Sequence, residues 1–215
     1  MHPIYYGALR SLLLFSAVPL SLPGSLCANG GKHSRREQRR AFAEKIHIEG
    51  VRNAGKLNDH LYRGTQPNER GVEELKKLGV TTIVDLRGES RGTSERELQE
   101  AHSLGMQFVL IPGDGWAPPS DEQMAQFFSL LAERPKHTIF IHCYFGSDRT
   151  GVFIAAFRLA FEHWTPGQAL AEMYAFHFQG FWHPAMKEYV RKFPERLAAS
   201  PALAPYRAGE EARAL

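Results

Sequence analysis

A cysteine and an arginine, Cys143 and Arg149, stand in the spacing Cys-x5-Arg within His142-Cys143-Tyr144-Phe145-Gly146-Ser147-Asp148-Arg149-Thr150-Gly151. A thiolate is a strong nucleophile, and a guanidinium is a planar fork that grips two oxygens of a phosphoryl group. Together they suit the transfer of a phosphoryl group to sulfur. The flanking sequence says how they would be held. Upstream, Thr138-Ile139-Phe140-Ile141 is apolar and β-prone, a short buried strand; downstream, residues 152–161 form an apolar run that reads as a buried helix. The stretch between is then a strand-to-helix loop, whose backbone amides and helix dipole converge on one anion. In this reading the loop residues Tyr144, Phe145, Gly146, Ser147 and Asp148 bind the phosphate together with Arg149. Gly146 allows the tight turn. Thr150 is placed to donate a hydroxyl hydrogen bond to the departing sulfur, and His142 to orient the loop through its imidazole.

The segment resembles the His-Cys-x5-Arg-Ser/Thr signature of the cysteine-dependent protein tyrosine phosphatase superfamily. Leu61-Tyr62-Arg63-Gly64-Thr65-Gln66-Pro67 is similar to the opening phrase of bacterial members of its dual-specificity branch. The resemblance spans roughly residues 51–193. It implies a metal-independent phosphatase with no cofactor, working through a cysteinyl-phosphate. It also implies that an Asp on a mobile loop before the Cys strand protonates the leaving oxygen. The equivalent connection here is Pro112-Gly113-Asp114-Gly115-Trp116-Ala117-Pro118-Pro119, which makes Asp114 the first choice. A turn role for Asp114 is the competing reading. Asp148, inside the loop where many members carry Gly, is the rival acid, and Asp121 reads as a helix-dipole partner. Asp85, Arg63 and Arg87 sit at strand ends, where flanking the pocket and pairing structurally are equally good readings.

The elements that must position these groups follow from the chain in order. Residues 1–28 carry Arg10 as their single charged side chain, then an apolar run over 12–20 and a small-residue exit, the pattern of a secretory signal peptide. Export to the periplasm or medium is the first expectation, and an uncleaved membrane anchor the second. Of the two cysteines, Cys27 and Cys143, cleavage near residue 28 would leave Cys143 alone, so the fold would stand on its core without a disulfide. Residues 29–50 read as a basic arm; the chain's formal charge of +3 is concentrated there and the remainder is slightly acidic. No zinc-ligand spacing or aromatic-basic motif supports binding of nucleic acid.

A phosphatase domain is expected over 51–197, with a frayed tail over 198–215. Asn68 caps a helix to Leu78; 80–86 is a strand; Ser94 and Glu97 form a capping box for a helix to 104. A strand follows over 108–111, a helix over 120–132 capped by Ser120, and helices begin at Pro166 and Pro184. This β/α alternation predicts an α/β domain, a largely parallel sheet flanked by helices, with the Cys loop at the carboxyl end of a strand. The aromatic stretch 174–182, with His177 and His183, reads first as core and second as a pocket wall or peripheral membrane patch. Three functions compete. The first is hydrolysis of phosphotyrosine-type esters on proteins, and the second hydrolysis of lipid or inositol phosphates. The third is a phosphate-binding module without turnover. The substrate partner is then a phosphorylated protein or a phosphorylated lipid or inositol, and the sequence leaves the oligomeric state open.

Overall fold

The apolar run that ends at Cys143 is the strand on which the sheet is built. The structure, a computed structural model, describes residues 42–88, 91–133 and 137–207. The signal segment and most of the basic arm lie outside the described residues. The strands are β1 (Glu44–Lys45), β2 (Gly55–Asn58), β3 (Leu61–Thr65), β4 (Thr82–Arg87), β5 (Gln107–Gly113) and β6 (Ile139–Cys143). They form one sheet in the order β1-β2-β3-β6-β4-β5. β6 lies parallel between β3 and β4, and β5 runs parallel on the far side of β4. The β1–β2 and β2–β3 pairs are antiparallel. The largely parallel α/β architecture read from the sequence is therefore present, with an antiparallel edge that the sequence pattern did not mark.

The helices are α1 (Glu69–Lys77), α2 (Arg91–Ser103), α3 (Asp121–Ala132), α4 (Asp148–Phe161), α5 (Pro166–Ala175) and α6 (Pro184–Ala199), followed by a 3-10 turn, Pro201–Tyr206. Strand alternation sorts them into two layers. Val84, Ile139, Ile141 and Cys143 point to one face and pack with α3 to α6, as in Phe127, Phe153, Met173 and Val190. Tyr62, Ile83 and Phe140 point to the other face and pack with Val72, Leu75 and Ala101 of α1 and α2. β6 is buried on both faces, which explains its unbroken apolar run.

Local signals held where no tertiary partner competed. Asn68 accepts from the Gly71 amide at 2.9 Å, Gly79 follows α1 at φ +86°, and Ser120 with Gln123 forms a complete capping box. Three expectations need correction. The packed domain begins before residue 51: β1 pairs with β2, and the Ala43 amide donates to buried Glu172 at 2.6 Å. The expected frayed tail is folded through residue 207, because Leu203 is fully buried and Tyr206 donates its hydroxyl to the Ala125 carbonyl. The Ser94–Glu97 capping box does not form. The α2 helix starts at Arg91, and both side chains turn instead to partners beneath the sheet's carboxyl edge.

Candidate active site

The Cys loop connects β6 to α4 at the carboxyl end of the parallel strands. Cys143 is nearly buried, 3% exposed, and lines a cavity of about 740 Å³ together with Phe145, Ser147, Asp148 and Arg149. The far wall comes from Gly115 and Trp116 of the β5–α3 connection and from Gln179, Trp182 and His183 of the α5–α6 connection. Ser147, the N-cap of α4, makes no capping bond with its side chain, and its hydroxyl donates to Asp148 Oδ2 at 2.7 Å. The first-turn amides of α4 thus face the loop's interior as an anion-binding group. Arg149 donates through Nη1 to the carbonyls of Leu86 and Gly113, each at 3.3 Å, which hangs its guanidinium at the rim formed by β4 and β5.

Three elements fix the loop's shape. Gly146 has φ +67°, and a Cβ there would stand 2.3 Å from the Gly64 carbonyl oxygen, so the loop backbone rests directly on β3. Arg63 donates to the Gly146 carbonyl at 2.6 Å. Asn53 shares its side-chain amide among the carbonyls of Phe145, Gly146 and Phe176. With these carbonyls held outward, the alternating amides turn toward the cavity.

Behind the loop, on the α1–α2 face, lies a buried polar cluster. Arg87 grips Asp85 through Nε at 2.8 Å and Nη2 at 2.7 Å, and the same Nη2 reaches Glu97 at 2.6 Å. Ser94 donates to Asp85 at 2.7 Å. Glu97 Oε1 is 2.8 Å from His142 Nε2, close enough for electrostatic pairing though off the alignment of a good hydrogen bond. On its other side the His142 ring meets the Cys143 carbonyl through Nδ1 at 3.3 Å. Burial pushes the Asp85 carboxyl up, but Arg87, His142 and Ser94 outweigh it and hold it below the ordinary carboxylate value. Asp85, Glu97 and His142 offer donor atoms within 4.8 Å of one another, as a metal site would. The Arg87 guanidinium already pairs with both carboxylates, so this donor set is matched to an internal cation.

The expected proton donors separate. The Asp114 carboxylate accepts the amides of Trp116 at 2.6 Å and Ala117 at 2.9 Å, an Asx turn within its own loop. These bonds, with a smaller pull from Arg149, hold its carboxyl below the usual range. It is not among the residues lining the cavity with Cys143, whereas its neighbours Gly115 and Trp116 are. Asp148 does line the cavity. One oxygen accepts the Gln179 amide at 2.8 Å, and the other is 4.0 Å from His183 Nε2. The Thr150 hydroxyl is buried without a hydrogen-bond partner among the described residues, so the expected bond to sulfur is not made in this state. Asp121 pairs with Arg196 as well as standing in the first turn of α3. Tyr144 is exposed at the rim and Phe145 forms part of the wall.

A family model described as "DSP-PTPase phosphatase fused to NAD+ Kinase" matches residues 43–188, most of the chain. The chain belongs to this phosphatase family. The phosphatase is 25% identical over 150 residues to a putative tyrosine-protein phosphatase OCA1 of Mycosarcoma maydis, covering 67% of this chain and 92% of that one. It is 28% identical over 121 residues to the dual specificity protein phosphatase TpbA of Pseudomonas aeruginosa strain UCBPP-PA14, covering 56% of this chain and 53% of the relative. The chain thus spans about half of TpbA's length. The fold matches crystal structures of P. aeruginosa TpbA with a TM-score of 0.62 at 24% identity, covering 76% of this chain and 97% of that one. One of these, a Cys-to-Ser variant in complex with pTyr, gives 0.60 at 21% identity over 74% and 98%. The catalytic core of the PP-IP phosphatase SIW14 from S. cerevisiae also gives 0.60, at 17% identity over 75% and 99%. The protein is a cysteine-dependent phosphatase of the dual-specificity class, acting on a phosphorylated substrate.

Sequence reasoning missed Asn53 and the site role of Glu97, and gave the Gln179–His183 wall of this phosphatase only as its second reading of the aromatic stretch. The first two act through contacts with residues far along the chain, for which no local pattern exists. The wall had a signal, the aromatic stretch, but that stretch divides: Phe176 and Phe178 are core, while Phe181 and Trp182 are exposed.

Proposed function

We propose that this phosphatase hydrolyses phosphotyrosine esters in proteins, with Cys143 as nucleophile, Arg149 and the loop amides as the phosphoryl clamp, and Asp148 as proton donor. One observation carries the reading: Cys143, Arg149 and Asp148 share one cavity walled by the aromatic rings of Phe145, Trp116 and Trp182. Such walls suit an aryl ester, and a deeply set thiol suits a side chain long enough to reach it. In the first step the Cys143 Sγ–P bond forms, the P–O ester bond breaks, and the leaving oxygen takes a proton from Asp148. Water then attacks phosphorus, its proton passes to the Asp148 carboxylate, the S–P bond breaks and inorganic phosphate leaves. The clamp acts by being in place before charge develops on the equatorial oxygens.

The test is phosphate release by the full chain from a phosphotyrosine peptide, a phosphoinositide in mixed micelles and an inositol polyphosphate. Turnover is expected to be fastest on the peptide and to vanish in Cys143→Ser. Asp148→Asn is expected to lower kcat by about 10²–10⁴-fold and to flatten the alkaline limb of its pH profile. If Asp114→Asn does this and Asp148→Asn does not, the acid assignment is wrong. A second reading, lipid or inositol phosphates, is favoured by the exposed rings of Trp116, Phe181 and Trp182 beside the mouth. Preference for the micellar substrate would select it.

A further inference from the structure

Arg63 is fully buried, and among the described residues no carboxylate forms an ion pair with it. Its Nη2 is spent on the Gly146 carbonyl, and its Cζ lies 4.2 Å from the centre of the Phe176 ring. Nε and Nη1 have no hydrogen-bond partner among the described residues. The charged groups around it are Glu172, Arg158, Lys45 and Cys143. Glu172 is already committed: Arg158 donates to both of its oxygens, at 3.0 and 2.8 Å, and the Ala43 amide takes a further bond. Lys45 and Arg158 are like charges. Burial pushes the Arg63 guanidinium down to about 10, against the pull of Glu172 and Cys143, so it stays a cation near neutral pH. A buried cation is tolerated when an anion answers it.

The sheet register brings the Cys143 side chain to the Arg63 side of the sheet. Arg63 is paired with Ile141 and Thr65 with Cys143 across β3 and β6, so alternation puts the Arg63 and Cys143 side chains on the same face of adjacent strands. We propose that Arg63 is the fixed counter-charge of the Cys143 thiolate, a second guanidinium that holds the sulfur ionised from below while Arg149 serves the phosphoryl group from above. The idea rests on Cys143 being the nucleophile. Arg63 touches neither substrate nor sulfur in a bond-making sense; it is a positioning residue for charge. Other charged or titratable groups lining the cavity with Cys143 are Arg149 and Asp148 of α4, Arg52 before β2, and His177 and His183 of the α5–α6 connection. These remain when Arg63 is replaced, so the expected change is a shift and not a loss of ionisation.

The experiment measures the rate of Cys143 alkylation by iodoacetamide from pH 4 to 9 in the full chain, for wild type, Arg63→Gln, Arg63→Met and Arg63→Lys, with thermal melting alongside. Arg63→Gln keeps a donor for the Gly146 carbonyl but loses the charge. It is expected to move the alkylation midpoint up by about one pH unit, which is about tenfold slower reaction on the acid side. Arg63→Met, which also removes the donor to the Gly146 carbonyl, is expected to do the same, the melting curve reporting the loss of that bond separately. Arg63→Lys is expected to stay within about threefold of wild type. A wild-type alkylation profile in either neutral variant overturns the proposal. So does unfolding of both, which would assign Arg63 a structural role. Turnover of phosphate esters by wild type is scored separately: its absence would refute the phosphatase assignment of Cys143 and leave the alkylation profile to decide Arg63.

Discussion

Replacing Gly146 by Ala tests whether the loop's geometry depends on its contact with β3. At φ +67° an L side chain costs about 1–2 kcal/mol. The new Cβ would also lie 2.3 Å from the Gly64 oxygen and 2.7 Å from the Thr65 amide nitrogen, both backbone atoms of a central strand. Neither can rotate away, so the loop itself must lift, adding about 1–3 kcal/mol of overpacking. The total, about 2–5 kcal/mol, corresponds to a fall in Tm of about 5–15 °C for a domain of this size. Lifting the loop by about 1 Å misaims the amides and the thiol, and such misplacement lowers kcat/KM by about 10²-fold. Gly115→Ala is the matched control, because a Cβ there meets nothing within 4 Å. The assays are thermal unfolding by circular dichroism and kcat/KM on an aryl phosphate. A Gly146→Ala protein that melts within about 2 °C of wild type and keeps kcat/KM within about threefold would refute the claim that the loop rests on β3.

Two further outcomes follow from the packing. Asp85, held below its ordinary value, contributes stability that is present above the unfolded carboxylate range and lost as pH falls through the folded value. Asp85→Asn should therefore cost about 3–5 kcal/mol at pH 7, with the gap to wild type narrowing as the pH drops below about 4 in a series of thermal melts; a gap independent of pH would contradict the ion-pair account. Leu203→Ala should cost about 2–5 kcal/mol by chemical denaturation if the 3-10 turn seals the core, and a change below about 0.5 kcal/mol would show that it does not.

The parts of the fold legible in the sequence were those whose causes are local. The Cys loop could be read because its chemistry is written in consecutive residues, and β6 because burial on both faces leaves an unbroken apolar run. Asn68 and Ser120 were readable as caps for the same reason. Ser94 and Glu97 mimic a capping box, but Asp85 accepts the Ser94 hydroxyl and Arg87 and His142 meet the Glu97 carboxylate, charge-assisted partners that a helix end cannot match, and the local pattern gives way. The tail misled by composition: Ala and Pro suggested fraying, yet one Leu and one Tyr suffice to dock it against α3. Asp114 was preferred as the acid by its place in the order of elements, and its carboxylate accepts the Trp116 and Ala117 amides as the competing turn reading expected. Asn53 left no trace because its three acceptors come from residues 145, 146 and 176.

The position of β6 in the sheet has a consequence for how the fold holds together. β3 and β4 are not neighbours; β6, more than fifty residues later in the chain, is the strand that joins them. Without β6 the strand order divides into two parts, β1-β2-β3 and β4-β5, each with an unpaired inner edge. Open edges of this kind invite pairing with other chains. The strand that closes them is also the strand that ends in Cys143, so the same insertion that completes the sheet brings the thiol to its loop. The five residues that join the two halves of the sheet are thus also the ones that deliver the nucleophile, so loss of β6 would remove sheet continuity and the reactive centre together.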